Sequence, residues 1–188
     1  MDENILDALK AGEYEVTPEG VFFPSENALA QGVFRVSKRG EPEEYSQNLV
    51  VTQGRNYILE AALGITAASS NWYIALFTGD VAVSATWTGA TFTAAATEWT
   101  SYDETTRVLW NKALPVTSGG IDSFSNKSSF TSSSDTQVIR GAALLNASAK
   151  SDAGAGSILM ASSRLTSDKT LDTGEILDVG YGLQLTAT

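Results

Sequence analysis

The clearest pattern in the chain is an alternation of apolar residues with polar residues or glycine near its C-terminal end. Leu177, Val179, Tyr181, Leu183 and Leu185 occupy every second position. Because successive side chains of a strand point to opposite faces, this spacing predicts a strand with one buried face. We expect the C-terminal end of the chain to be held in a sheet.

Other apolar runs predict further strands. Residues 72–77 are apolar at consecutive positions, which indicates a central strand covered on both faces. Roughly seven or eight such segments, separated by Gly, Ser, Thr and Asp, predict an all-β fold, either a two-sheet β-sandwich or a jelly roll. The other predicted strands cover residues 107–114, 121–130, 137–146 and 157–165, and the segment 121–130 is expected to have an irregular centre.

Helical spacing of apolar residues within this domain predicts one short helix, over residues 55–63. Thr52 is placed to cap its N-terminus, and Gly64 is placed to end it. The apolar stripe of this helix is formed by Ile58, Leu59, Ala62 and Leu63.

Residues 82–101 form a long stretch that is rich in Thr and Ala and contains three aromatic residues. Loops of this length are usually functional or disordered, and aromatic residues are uncommon in disordered segments. We interpret Trp87 and Trp99 as either a local lid or an interface anchor, and a sugar-stacking platform is the alternative. Trp72 and Trp110 lie in apolar strand contexts, which predicts core positions.

Charge divides the chain near residue 48. Residues 1–48 contain ten acidic and four basic side chains, which give −6 of the total net charge of −10. We predict an acidic N-terminal arm over 1–48, with a short helix over 3–11, followed by a β-sandwich domain over 49–188. The arm also contains apolar residues that disordered tails lack, so we expect it to pack on its own domain or on a neighbour. The candidate interface residues are Ile5, Leu6, Leu9, Phe22, Phe23, Phe34, Trp87, Phe92 and Trp99.

The chain contains no cysteine and no histidine. This removes disulfides, thiolate and imidazole metal sites, and nucleophilic sites that depend on histidine. The acidic balance argues against a nucleic-acid surface, since phosphates are bound by clustered Lys and Arg. We therefore expect a non-enzymatic protein without a catalytic residue, a metal ion or a cofactor, and without a nucleic-acid partner.

Carboxylates are the remaining candidates for chemistry. Asp103 and Glu104 precede Arg107 in a polar segment, which we interpret as a turn whose arginine pairs with a carboxylate rather than as a site. A second acidic group lies in a turn between strands and lacks the spacing of an EF-hand loop, and a weak Ca²⁺ site is its alternative interpretation. That group consists of Asp168, Asp172, Glu175 and Asp178.

The first residues of the chain are acidic, and no apolar stretch follows that is long enough to span a bilayer. We expect a protein that is made in the cytoplasm and does not associate with a membrane.

Seven short segments together resemble a group of virion proteins of tailed bacteriophages, over about residues 48–188. The first three are Asn48-Leu49-Val50-Val51-Thr52, Asn56-Tyr57-Ile58-Leu59 and the run from Trp72 to Gly79. The others are Thr97-Glu98, the run from Tyr102 to Arg107, Gly141-Ala142-Ala143-Leu144 and Asn146-Ala147-Ser148-Ala149-Lys150.

The group resembles the capsid decoration, or cement, proteins of these phages. The resemblance implies a β-sandwich or jelly roll that binds the major capsid protein on the outer capsid surface and forms a symmetric homo-oligomer, a dimer or trimer. It implies a location on the capsid exterior of the virion, after synthesis in the host cytoplasm. A tail or neck component is the alternative within the virion, and a carbohydrate-binding adhesin module is the alternative outside the capsid.

Overall fold

The computed structural model describes residues 14–16, 22–24, 28–113 and 119–187. The chain forms two compact units, one of Met1–Leu29 with Leu185–Thr188 and one of Ala30–Gln184. In the first unit, β1 (Tyr14–Val16) pairs antiparallel with β2 (Phe22–Pro24). The helix predicted over 3–11 lies outside the described residues.

The larger unit is built on two sheets, and the first has five strands. Its order is β10 (Ser128–Thr131), β13 (Ile176–Ala187), β3 (Ala28–Lys38) and β4 (Glu44–Gln47), and β9 (Gly120–Asp122) also pairs with β13. The predicted strand over 121–130 is therefore two strands, β9 and β10, which pair with different parts of β13.

The second sheet has six strands, and its antiparallel pairs bring together segments that are distant in the chain. The long pair β11–β12 contains register shifts, and β11 also pairs along the whole of β6. The predicted strand over 107–114 is described up to residue 113, and within that part only Val108–Leu109 forms a strand. The strand order is β5 (Leu49–Val50), β12 (Leu159–Leu171), β11 (Gln137–Leu145), β6 (Tyr73–Phe77) and β7 (Glu98–Trp99), with β8 (Val108–Leu109) also paired to β6.

The two sheets share one hydrophobic core, so the predicted all-β, sandwich-like fold is confirmed. The alternation in β13 places Leu177, Val179 and Tyr181 in that core, each fully buried. Tyr181 lies against Phe34 of β3, with 4.6 Å between the ring centroids. Leu185, at the far end of the alternation, is exposed.

Strand β6 is covered on both faces, as its sequence predicts. Ile74 and Leu76 face the core between the sheets, whereas Ala75 and Phe77 face a second core on the opposite side of the six-stranded sheet. A Cβ atom at Gly141 would lie 1.8 Å from Cζ of Phe77, so a side chain at this β11 position would displace the buried ring opposite it. The second core consists of Val51, Ala75, Phe77, Trp87, Phe92, Ala96, Ala143, Leu145 and Leu159.

The predicted helix is present as α1 (Thr52–Ala62), but its capping and orientation differ from the prediction. The N-cap residue is Val51, and no side chain caps the helix. The helix turns Gly54 and Tyr57 inward, and the predicted apolar stripe is largely exposed.

A second helix, α2 (Gly89–Ala96), lies inside the segment predicted as a long loop. Thr88 and Thr91 form a reciprocal capping box at its N-terminus, and Thr97 ends it in the left-handed conformation, with φ at 56°. Apart from Phe92 its residues are small, and the helix shows little amphipathic contrast, so helical periodicity does not predict it.

The sandwich begins before the expected domain boundary at residue 48. The compact unit starts at Ala30, and both β3 and β4 belong to its five-stranded sheet. Phe34 and Val36 are at most 1% exposed, so this part of the expected arm contributes directly to the main core.

Candidate functional site

The four candidate interface residues that lie in the larger unit are buried within the chain itself. Phe34 and Phe92 are fully buried, Trp99 is 2% exposed and Trp87 is 9% exposed. Two of the others, Phe22 and Phe23, lie in β2, and Ile5, Leu6 and Leu9 lie outside the described residues.

Trp87 and Trp99 pack into two different cores. The Trp87 ring meets Phe77 and Phe92 edge-on in the second core, at centroid distances of 6.3 and 6.5 Å. Trp99 packs on Tyr102 in the main core, and its Nε1 donates to Oε1 of Gln137 at 3.1 Å. Neither indole presents a free face to solvent, so the premise of the sugar-stacking alternative is not met.

The most buried salt bridge among the described residues joins Glu98 of β7 and Arg107. The guanidinium donates from Nε to Oε1 and from Nη2 to Oε2, both at 2.8 Å. Side-chain exposure is 0% for Arg107 and 1% for Glu98. With these two parallel hydrogen bonds the guanidinium and the carboxylate neutralise each other, and buried charges need a partner of this kind. The prediction that Arg107 pairs with a carboxylate is confirmed.

This ion pair also holds the connection between β11 and β12. Arg107 donates through Nη1 to the carbonyl of Ala147 at 3.1 Å, and its backbone N donates to Ser148 at 2.8 Å. Glu98 Oε2 accepts from Oγ1 of Thr93 in α2 and from the backbone N of Ser151. We call the pair and these partners the Glu98–Arg107 clamp. It ties α2, β7 and the 146–152 connection together.

Lys150 adds a second cation to the same connection. Its Nζ donates to the carbonyls of Thr100 and Tyr102, at 3.1 and 2.7 Å, and lies 3.6 Å from the centroid of the Tyr102 ring. Burial lowers the pKa of Lys150 and raises that of Tyr102. The raised pKa keeps Tyr102 a neutral phenol at neutral pH.

The acidic segment before Arg107 is used in local structure. Glu104 accepts hydrogen bonds from the backbone N and the hydroxyl of Thr131, and the backbone N of Asp103 donates to the carbonyl of the same threonine. Among the described residues, no group of three or more acidic side chains is arranged to hold a metal ion.

The second acidic group is spread over separate contacts with cations and backbone. Asp168 pairs with Arg140, and Asp172 accepts from the backbone N of Thr136. Glu175 pairs with Lys38 at 2.6 Å, and Asp178 pairs with Arg39 at 2.7 Å. These carboxylates point to different partners, so the structure does not bring them together as a Ca²⁺ site.

The ion pairs lower the pKa of their carboxyl groups. The hydrogen bond from Lys38 lowers the pKa of Glu175, and the hydrogen bond from Lys169 lowers that of Glu44. Burial acts to raise the pKa of Asp178, but the hydrogen bonds from Arg39 and Ser129 bring it below its ordinary value.

A shallow depression of about 320 Å³ lies beside β8. Its polar groups are partly engaged, since Lys112 Nζ donates to the carbonyl of Ser70 and Trp110 Nε1 donates to that of Tyr181. Trp72 and Trp110 are 7% and 6% exposed, which confirms their predicted core positions. The depression is lined by Ser70, Asn71, Trp72, Leu109, Trp110, Asn111, Lys112 and Asn126.

Sequence reasoning missed the most exposed apolar surface of the described residues. Leu59 is 61% exposed, Leu63 is 74% exposed and Ile65 is 73% exposed. We call these three residues, at the C-terminal end of α1, the α1 patch. The sequence signal was present, because Leu59 and Leu63 belong to the predicted stripe, but a stripe of this kind ordinarily faces the core.

None of the described helices is both long and apolar enough to cross a lipid bilayer. Comparison with known proteins finds neither a family model nor a curated protein that matches this chain.

Proposed function

We propose that this chain is a virion structural protein that binds the outer surface of a tailed-phage capsid and stabilises contacts between major capsid subunits. The sequence resemblance suggests the location. In the structure, three of the resembling segments meet at one buried ion pair, which supports a structural role. The proposal does not involve catalysis.

The observation that carries the proposal is the Glu98–Arg107 clamp. Glu98, Arg107 and the 146–150 segment all belong to the segments on which the resemblance rests. In the structure they meet at one buried, fully paired group. Breaking such a pair would leave a buried charge without a partner, so the clamp makes this end of the sandwich rigid. A rigid surface suits a protein whose task is to hold neighbouring subunits in place.

The carboxylates that could have supported an enzyme serve the fold instead. Glu104 is engaged by Thr131, and Glu175 and Asp178 are engaged by lysine and arginine. These contacts favour a structural role over acid–base chemistry, which needs a carboxyl group that faces substrate.

The proposed mechanism is burial of surface across junctions between capsid subunits. A standard protein interface buries about 1,600 Å² in total. Even a weak contact of this kind reinforces a shell when symmetry repeats it over many sites on one particle.

Binding of the purified full-length chain to capsids that lack it tests the proposal. We expect co-sedimentation that saturates at a fixed number of copies per capsid and raises the temperature at which the capsid opens. Cryo-electron microscopy of the saturated particle should then show density across subunit junctions on the exterior.

An unrelated acidic β protein of similar size is the control for nonspecific adsorption. A second control is salt, because purely electrostatic adsorption weakens as the Debye length falls to about 3 Å at 1 M. Absence of co-sedimentation, or a location only in the tail or neck of intact particles, would contradict the proposal.

A further inference from the structure

The outer face of the five-stranded sheet holds an arginine beside two aromatic rings. Phe34 and Val36 of β3 face the main core, so Arg35 between them lies on the opposite face of the sheet. The Cζ atom of this arginine lies 3.7 Å from the centroid of the Phe124 ring and 5.0 Å from that of the Tyr45 ring. We call Arg35, Tyr45 and Phe124 the Arg35 stack.

The neighbouring strands hold both rings in place. Tyr45 of β4 is the residue directly opposite Arg35 in the β3–β4 pair. Phe124 follows β9 and lies over Gly180 and Gly182 of β13, where a Cβ atom at Gly182 would come within 2.6 Å of the ring. Because β3 lies between β4 and β13, the two rings reach the arginine from its two sides. The guanidinium is therefore ordered before any partner binds.

The rings contact the guanidinium but leave its N–H groups without an acceptor. Nε of Arg35 is buried and has no hydrogen-bond partner. Every other basic side chain in the described part of the chain donates to an oxygen atom, of a carboxylate in seven cases and of a hydroxyl or a carbonyl in the rest. Glu43, just before β4, pairs with Lys127 instead. Within the described residues, Arg35 is thus a prepared cation whose donors are unused.

The geometry of these donors selects the chemistry of the ligand. The N–H groups lie in the plane of the guanidinium, and burial of Nε leaves the outer pair, Nη1 and Nη2, for a ligand. A carboxylate is planar and accepts two parallel hydrogen bonds from such a pair. A phosphate brings a second negative charge, which the net charge of −10 opposes. A single carboxylate therefore matches the site better than a phosphate.

We propose that the Arg35 stack is a docking point for an aspartate or glutamate side chain of a protein partner. A lone ion pair on an open sheet face is too weak to hold a small acid. Within an interface, however, ordered arginine and tyrosine side chains are typical centres of binding energy, and Tyr45 is 55% exposed. The partner's carboxylate accepts from Nη1 and Nη2, and the partner packs against the Tyr45 ring. The inference rests on contacts within this chain and does not depend on capsid binding.

Nuclear magnetic resonance of the isotope-labelled full-length chain tests the proposal, with the peptide acetyl-Ala-Glu-Ala-amide as the probe at constant ionic strength. The peptide should shift the side-chain Nε–Hε signal of Arg35 and the backbone amide signal of Tyr45. The matched control is Arg55, an exposed arginine of α1 that donates to Oγ1 of Thr52. Ordering a side chain in advance saves part of the cost of binding, so Arg35 should bind the peptide roughly two- to tenfold more tightly than Arg55.

Two variants separate this site from a general attraction of anions. Arg35→Lys keeps the charge but loses the planar pair of donors, so the Tyr45 amide should lose most of its response to the peptide. Phe124→Leu keeps the arginine but removes one stacked ring, so the Arg35 signal should respond as weakly as that of Arg55. The neutral peptide acetyl-Ala-Gln-Ala-amide and inorganic phosphate should both give smaller shifts. Backbone signals away from the stack should match those of the parent chain in every variant.

Three results would overturn the proposal. One is a response of Arg35 to the peptide that is no stronger than that of Arg55. Another is equal binding of the peptide by Arg35→Lys, which would show that charge alone matters. The third is a set of shifts with inorganic phosphate as large as those with the peptide, which would assign the stack to inorganic anions.

Discussion

The two helices of the larger unit bury their apolar residues in opposite ways. Helix α2 has a capping box and places Phe92 and Ala96, its apolar residues of the second core, at 0% exposure. Helix α1 has no side-chain cap and a clear apolar stripe, yet it turns a glycine and a tyrosine inward and leaves Leu59 and Leu63 exposed. The helix with the weaker sequence pattern is the one that is better integrated into the core.

The difference shows that an apolar stripe in the sequence does not by itself identify the buried face of a helix. Which residues are buried depends on how the helix packs on the six-stranded sheet. A small helix face lets α1 approach the backbone of β12, and that contact leaves the leucines outside. Apolar residues that a fold leaves exposed on a fixed helix are available for association. In α2 no large apolar residue is left over for such a contact.

The largest expected difference between the two helices comes from truncating one apolar side chain in each. Phe92→Ala should lower the free energy of unfolding by about 3–5 kcal/mol, because it opens a cavity in the second core. Leu59→Ala, at a side chain that is 61% exposed, should change it by no more than about 0.5 kcal/mol. Urea unfolding of both variants at low protein concentration measures this difference. Equal losses would show that α1 is as deeply packed as α2.

A smaller effect is expected from crowding the N-terminus of α2. A Cβ atom at Gly89 would lie 2.2 Å from the carbonyl O of Ser157. Gly89→Ala should therefore cost about 1–3 kcal/mol, because the backbone just before β12 would have to move. Gly156→Ala is the control, since a Cβ atom there meets no atom within 4 Å. Chemical denaturation gives both values, and a neutral Gly89→Ala would mean that α2 can shift freely.

Removal of the helix caps should have an effect of about 1 kcal/mol on α2 and less on α1. Thr88→Ala removes the side chain that accepts from the backbone N of Thr91. Thr52→Ala removes a hydroxyl that caps no backbone group and accepts only from Arg55, at 3.2 Å on the surface. Thermal unfolding of the two variants compares the caps directly. A larger loss from Thr52→Ala would restore the capping role that its sequence position suggested.

The smallest expected effect is that of acid, and it acts on ion pairs of the strands and turns rather than on either helix. Glu44, Glu175 and Asp178 have pKa values below their ordinary ones because of their lysine and arginine partners. Their contribution is complete above the ordinary glutamate value of 4.5 and is lost as the pH falls through the lower folded-state values. Solvent screens these pairs, so the loss is modest.

Denaturant unfolding at a series of pH values between neutral and strongly acidic measures this loss. Stability should fall with acid, and Asp178→Asn should reduce the slope. A free energy of unfolding that rises with acid would contradict the pKa directions.

Several strands could be predicted because their patterns are local and strong. The period of two in β13 and the two-sided apolar run in β6 each require a particular kind of burial, and the structure provides it. Helix α2 could not be found from periodicity, although Thr88 and Thr91 have the spacing of a cap. The 121–130 segment looked like one irregular strand, because its two halves pair with separate parts of β13 that the local pattern does not distinguish.

The candidate site was harder to predict than the fold. Arg107 was expected to pair with a carboxylate, but the identity of Glu98 as its partner depends on how β7 pairs with β6. Trp87 and Trp99 lie among polar residues in the chain and were candidates for exposure. The structure buries them, because sheets and helices from distant segments close over them.

The sequence by itself determined the all-β character of this protein, its acidity and the lack of thiol and imidazole chemistry, because these follow from residue types and short-range periods. Only the tertiary structure decided which apolar residues are core and which form the α1 patch. The physical reason is that burial depends on neighbours contributed by remote segments. The contact of Gly54 with Met160 orients α1, and no local pattern around either residue encodes it.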